Sequence, residues 1–385
     1  MKTKIKKSGE PSWRIATRDA EAFVTETGGQ VGPVTFQIGG KKIQPFSVAP
    51  WAEEPTRGKL PPLLRALRGD FFCLPFGGNA TPFKGERHPV HGETANQRWR
   101  LQSVDTASLH LSLNTKIRRG RVDKFVFLRE GHSAVYQRHV ITGMSGRMNF
   151  GHHAMLKFPD VPGCGIISTS RFVQGQTFPA PFEHPEQRGY SALKPGATFR
   201  SLDKVESLTG EPADLSRYPA RRGFDDLVMI VSDIAQPFAW TAVTFPTEGY
   251  VWFALKDPRT LRQTVFWISN GGRHYAPWNG RHVNVMGLEE VSAYFHFGLA
   301  ESVGRNLLAR SGVPTCLRLD PRKPLVVNHV MVMAAIPKGF DRVAAITPAA
   351  GGQSVNLSSP SQKNVTAKLD LDFIGLEKLL PNPVT

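Results

Sequence analysis

Cysteine is nearly absent. Three are spread over 385 residues, at Cys73, Cys164 and Cys316, with no CxxC pair. This argues against a disulfide framework and a structural zinc site, and leaves free thiols in a reducing compartment as the default. Long apolar runs are missing too: no window approaches the roughly 18 apolar residues of a spanning helix. The basic start MKTKIKKSGEPSW has no apolar stretch behind it, so it does not read as a secretory signal. These absences predict a soluble, cytoplasmic protein with no membrane partner. Helix-forming runs are also few, whereas 36 glycines, 30 prolines and 24 phenylalanines favour short strands joined by turns.

Acidic residues are outnumbered, 32 against 48 lysines and arginines, for a net charge of +16. Such a balance fits nucleic acid, an anionic surface or an anionic small molecule. Here the charge is spread out. The densest cluster beyond the first residues is Lys116, Arg118, Arg119, Arg121 and Lys124, around Gly120. It comes with no aromatic-basic sheet signature, helix-turn-helix pattern or long basic tail, so nucleic acid is not expected as a partner. A solvated basic surface is the plain reading, and a site for phosphorylated or acidic sugars is the alternative.

Strand signals recur at short intervals. Leu109 to Ile117 alternates with period two, and Val365 to Phe373 does the same. Further runs stand at Leu227–Val231, Ala239–Phe245, Tyr250–Leu255, Thr264–Ile268 and Leu325–Ile336. Leu63 to Leu67 predicts one short helical turn, and Leu299 to Arg310 predicts a helix stopped by Gly312-Val313-Pro314. Pro179 to Pro219 is polar, proline-dotted and aperiodic, and reads as a long excursion over the sheet. No internal repeat or linker interrupts the chain. The pattern predicts an all-β fold, one large antiparallel β-sandwich domain over residues 1–385 with one or two short helices, and residues 1–12 as a flexible basic tail.

The chemistry-bearing residues are distributed. WISNGGRHYAPWNGRHVNVMGLEE places Glu289 and Glu290 behind an apolar strand, where carboxylates are costly to bury without partners. Trp278, between Pro277 and Asn279, is a flat ring of the kind sugars stack on. In ERHPVHGE, His88 and His91 sit three apart, but Pro89 and Gly92 break any helix that would present both, and no third ligand stands nearby, so no metal is expected. His91, followed by Gly92, suits a hydrogen-bonding group on a pocket floor. The tandem His152 and His153 of NFGHHAML must point to opposite faces of a strand, so one at most enters a given site. Asp225 and Asp226 open the strand of GFDDLVMI.

The order of these segments, His-Gly, His on a strand, Asp before a strand, Glu before a strand, resembles the galactose mutarotase-like superfamily, which holds the aldose 1-epimerases and hexose-6-phosphate 1-epimerases. The likeness runs from about Ile15 to Pro337. VTETGGQVGPVTFQIGGKKIQPF looks like the opening hairpin, and GDFFCLPFGG followed by HPVHGETANQRW like the next landmark. The resemblance implies an anomer-interconverting enzyme without a cofactor, acting on a small carbohydrate. Glu289 would be the base, His152 the acid, and His91 a polarising group. Asp225, Trp278, Arg98, His153 and Asn79 would bind substrate. The family's arginine after His-Gly is replaced by Glu93, Thr94 and Ala95, and Arg98 stands in for it from further on. Which of His152 and His153 faces the pocket stays open, as does a non-catalytic carbohydrate-binding role on the same sandwich.

Overall fold

The structure, a computed structural model, describes residues 4–375, most of them in strands and turns. Eight strands form the sheet that carries the site. In chain order they are β1 (Phe72–Cys73), β2 (Phe150–His152), β3 (Ala154–Lys157), β4 (Phe172–Thr177), β5 (Thr198–Phe199), β6 (Phe224–Ser232), β7 (Gln263–Asn270) and β8 (Val285–Ser292). Their spatial order is β5-β4-β6-β7-β8-β2-β1, with β3 paired to β8 as well. A nine-stranded sheet faces it, centred on Ala239–Phe245, Tyr250–Lys256, Leu325–Ala335, Ala134–Thr142 and Gly120–Phe127. All pairings in both sheets are antiparallel. This is the antiparallel β-sandwich that the strand spacing predicts.

Three apolar layers hold it together. Val126, Val135, Trp252 and Met331 of one sheet meet Phe72, Phe150, Phe266 and Leu288 of the other. On the outer face of the nine-stranded sheet, Tyr136, Phe253 and Val330 are covered by Val355, Leu357 and Ala367 of a three-stranded C-terminal sheet. On the outer face of the eight-stranded sheet, Leu227, Val265 and Trp267 pack with Trp51, Leu63, Phe71 and Trp278. Because side chains alternate across a strand, β8 sends Leu288 and Glu290 between the sheets and Glu289 outward.

The inter-sheet layer is not purely apolar. Glu290 is ion-paired with Lys256 and accepts from the hydroxyls of Thr241 (2.8 Å) and Thr264 (2.7 Å). Lys256 also donates to the carbonyl of Gln263 and the hydroxyl of Thr264, both at 2.8 Å. His152 Nδ1 lies 2.8 Å from Asp70 Oδ2, and that oxygen also accepts from Gln137 Nε2 at 2.6 Å. Burial works against the Asp70 carboxylate, but the His152, His329 and Lys124 charges outweigh it and hold its pKa below the ordinary range. Asp70, His152 and His329 also have metal-ligand spacing, with the Asp70–His152 edge closed by that hydrogen bond.

Four expectations are corrected by long-range contacts. Residues 1–12 are not all tail: Ile5–Lys7 and Glu10–Ala16 pair as strands of a five-stranded N-terminal sheet. The buried Arg68 donates to the carbonyls of Lys7 and Ser8, each at 2.8 Å, and Glu10 pairs with Arg65 at 3.2 Å. The helix at 299–310 is two, α3 (Leu299–Val303) and α4 (Leu307–Arg310). They are split at Gly304, with Asn306 capping the second by accepting from the Ala309 amide at 2.9 Å. The strand at 365–373 ends at Lys368, and its last apolar residues fold into a turn. The 179–219 excursion buries Leu193, Phe199, Leu202, Val205 and Leu215 against the core. Leu63–Leu67 does form a short helix, α1 (Pro62–Ala66), and α2 (Gly92–Asn96) follows His91. Among the described residues no helix is long and apolar enough to cross a membrane.

Removing one partner of a buried ion pair strands the other. Lys256→Met is therefore expected to cost about 3–5 kcal/mol in urea unfolding, and Lys256→Met with Glu290→Gln to recover much of it. Equal stability of the single variant and the parent would contradict the pairing.

Candidate active site

A cavity of about 140 Å³ opens on the outer face of the eight-stranded sheet. Its floor comes from ladder neighbours: Leu227 of β6 stands opposite Trp267 of β7, Trp267 opposite Gly287 of β8, and Val265 opposite Glu289. Gly287 is required there by space. A Cβ at that position would sit 2.7 Å from Glu289 Oε1 and 3.0 Å from the Trp267 Cβ. The missing side chain leaves room for the carboxyl and the indole side by side.

Glu289 is 1% exposed. Burial pushes its carboxyl pKa well above the ordinary value, and the nearby Arg273 charge only partly opposes this. Oε1 lies 3.1 Å from His153 Nε2, whereas Oε2 is buried and has no partner among the described residues. The His153 amide donates to the Phe71 carbonyl at 2.9 Å, and its ring stacks on Phe71 with centroids 4.6 Å apart. Desolvation pushes the His153 pKa down to about 3, so the ring is neutral near pH 7.

An imidazole pair, His91 and His296, faces this carboxyl–imidazole pair. His91 has a left-handed backbone (φ 58°) and precedes Gly92, whose own φ is 75° and where a Cβ would meet the Leu74 carbonyl oxygen at 2.0 Å. The His-Gly motif is thus a backbone requirement that aims the ring inward. The Gly77 amide donates to His91 Nδ1 at 3.3 Å, which puts the ring proton on Nε2, 3.2 Å from His296 Nε2. Burial lowers both pKa values, that of His296 to about 4. Asn79 ties this corner together: its amide donates to the carbonyls of Gly77 (3.0 Å) and Pro89 (3.1 Å), and its oxygen accepts from the Leu299 amide (3.0 Å).

Among the described residues, Arg273 is the one lysine or arginine in the lining. Its Nε donates to Glu183 Oε1 at 2.6 Å and lies 3.6 Å from Asp225 Oδ2. Its guanidinium sits over Trp278 (4.8 Å), Trp267 (5.2 Å) and Phe182 (5.2 Å). Asp225 accepts from the Ser269 hydroxyl and the Gly272 amide, both at 2.8 Å. Burial raises its carboxyl pKa, and Arg273 opposes the rise. One positive charge is thus shared between two carboxylates.

The structure brings Glu289, His91, His153 and Trp278 to the cavity wall. It puts the other candidates elsewhere. His152, read as the acid, is fully buried between the sheets on Asp70, because its neighbour His153 takes the outward face. Arg98 is exposed and bridges to Thr27, since the turn after α2 carries it away. Asp225 and Asn79 lie behind the wall, one under Arg273 and the other under His91. Arg273, His296, Trp267 and Glu183 escaped sequence reasoning. Arg273 lay in a loop already singled out, but nothing local showed that Glu183, ninety positions earlier, would fix it.

No protein-family model matches the chain, and no curated protein matches its sequence. Solved structures do match in fold. An aldose 1-epimerase candidate from Escherichia coli K12 aligns with a TM-score of 0.58 at 14% identity, over 85% of this chain and 100% of that one. A galactose mutarotase related enzyme from Lactobacillus acidophilus gives 0.55 at 11%, over 84% and 97%. A galactose mutarotase-like protein from Lactobacillus casei gives 0.52 at 8%, over 84% and 99%. At these identities the likeness is one of fold.

The raised Glu289 pKa has a stability signature. Below about pH 4.5 the carboxyl is protonated in folded and unfolded chains alike. As pH climbs from there toward the folded pKa, only the unfolded chain ionises freely, and the folded state loses stability by up to about 1.4 kcal/mol per pH unit. Glu289→Gln removes this loss. Its advantage over the parent in chemical unfolding is expected to be near zero at pH 4 and to grow as the pH rises above the ordinary carboxylate range; a pH-independent difference would refute the raised pKa.

Proposed function

We propose that this chain, which has the galactose mutarotase-like fold, interconverts the anomers of an uncharged aldose. The observation that carries the reading is Glu289: a buried carboxyl with one oxygen left free, in a cavity walled by two indoles and facing an imidazole pair. An aldose ring held in this cavity places its anomeric hydroxyl against Glu289 Oε2. The carboxylate takes that proton, the bond from C1 to the ring oxygen breaks, and the ring oxygen takes a proton. C1 then rotates about its bond to C2, and the reverse steps close the other anomer. One base and one acid on either side of C1 suffice.

His153 is 3.1 Å from Glu289, too near to flank a sugar from the other side. It orients the base. The acid is assigned to His91, whose Nε2 proton, shared with His296 Nε2 3.2 Å away, goes to the ring oxygen and is recovered when the ring recloses. An anionic sugar is disfavoured despite the net charge of +16, because Arg273 is already engaged by Glu183 and Asp225 and the cavity imidazoles are neutral. Among the described residues, the cavity lining offers a hexose phosphate no free lysine or arginine.

A second reading has its own support. Burial disfavours the charged forms of Glu289 and of the cavity imidazoles, which suits a carbohydrate-binding protein without turnover.

Polarimetry on freshly dissolved α-glucose, α-galactose and hexose 6-phosphates separates the two. The epimerase reading expects acceleration for the uncharged sugars, lowered about 10²–10⁴-fold by Glu289→Gln and strongly by His296→Phe. The rate should rise with pH through a limb above the ordinary carboxylate range, as Glu289 ionises. Sugar binding seen by ligand-observed NMR with no acceleration would favour the binding protein.

A further inference from the structure

The cavity is more apolar than a bare sugar requires. Its hydrogen-bonding groups come from β8, the β2–β3 junction and the loops carrying His91, Arg273 and His296. Apart from Phe71 and the two indoles, the remaining lining is a run of aliphatic and aromatic side chains: Leu63, Leu64 and Leu67 at α1, Val90, Phe182 and Leu227. None of the six can satisfy a sugar hydroxyl, and a hydroxyl desolvated against them loses its hydrogen bonds to water.

This aliphatic wall is held in place. A five-residue helix has little stability of its own, yet α1 is fixed from two sides: the Trp51 indole N–H donates to the Leu64 carbonyl at 2.8 Å, and Gln30 Nε2 donates to the Leu63 carbonyl at 3.3 Å. Leu64 is half-buried and Val90 is 46% exposed, so the wall continues from the cavity toward solvent. Water against these residues is unfavourable, and an apolar group displacing it is favoured in proportion to the area covered.

Resting on the reading above that the cavity takes a sugar, we infer that its ligand is an uncharged aldose carrying an apolar substituent, alkyl, acyl or aryl, on a carbon other than C1. The sugar lies beside Glu289 and His91, and the substituent lies along Leu63, Leu64, Leu67 and Val90. C1 keeps its free hydroxyl for Glu289. Both features follow from one cavity: the engaged cation disfavours charge, and the leucines favour hydrocarbon.

The test is calorimetric binding to the full chain of glucose and galactose, their 6-phosphates, and their monobutanoyl esters at positions 2, 3, 4 and 6. At least one ester should bind tenfold or more tightly than its parent sugar, and neither 6-phosphate should bind more tightly than its parent. In Leu64→Asn the ratio of ester to parent affinity should fall toward one. If Leu64→Asn does not fold, Val90→Asn, at an exposed loop position, should lower the same ratio. Esters no tighter than their parents, or a 6-phosphate tightest of all, would overturn the inference while leaving sugar binding intact. Binding of the esters without accelerated mutarotation would remove the epimerase reading and keep this one. No binding by any probe would remove both.

Discussion

The Lys256–Glu290 pair between the sheets sets the terms for the cavity. Two adjacent glutamates on a fully buried strand would be prohibitive if both lacked partners. Lys256, Thr241 and Thr264 take Glu290 into the interior, and strand alternation then directs Glu289 to the outer face. The same division operates on the neighbouring strand β2, where Asp70 draws His152 inward and leaves His153 for the cavity. A buried polar layer thus fixes the register of the wall whose other side holds the candidate chemistry. A one-residue slip would exchange the roles of all four side chains.

That wall is electrically quiet. Desolvation disfavours the charged forms of Glu289, His91, His153 and His296, and Arg273 is balanced by Glu183 and Asp225. The large positive charge of the chain therefore belongs to its surface. Charge counted over a whole sequence reports on solvent-facing residues, since those are where most ionised groups lie.

Much of the fold was legible in the residues. Period-two runs marked the strands, and the His-Gly pair, the tandem histidines and the double glutamate marked three of the site's corners. What stayed hidden depended on partners distant in sequence. Nothing near His152 shows that Asp70 will claim it, and local periodicity favoured one helix where Gly304 and the Asn306 cap make two. Arg273 looked like a loop residue until Glu183, in a stretch read as an excursion, gave it a partner. Residues 1–12 looked free because Arg68, which fixes Lys7 and Ser8, lies some sixty positions away.

The cavity lining is gathered from Leu63 at one extreme to His296 at the other, across strands that are not sequential in the sheet. A chain emerging from the ribosome completes its N-terminal sheet early, since those five strands pair in sequence order. The site has no such local route. Glu289 has no cavity wall opposite it until the segment bearing His296 has been made and has closed back onto the loop of Gly77 and His91. Pairings of this sequence separation form slowly, so a truncated or stalled chain can hold much of the sheet structure and yet have nothing in it able to bind.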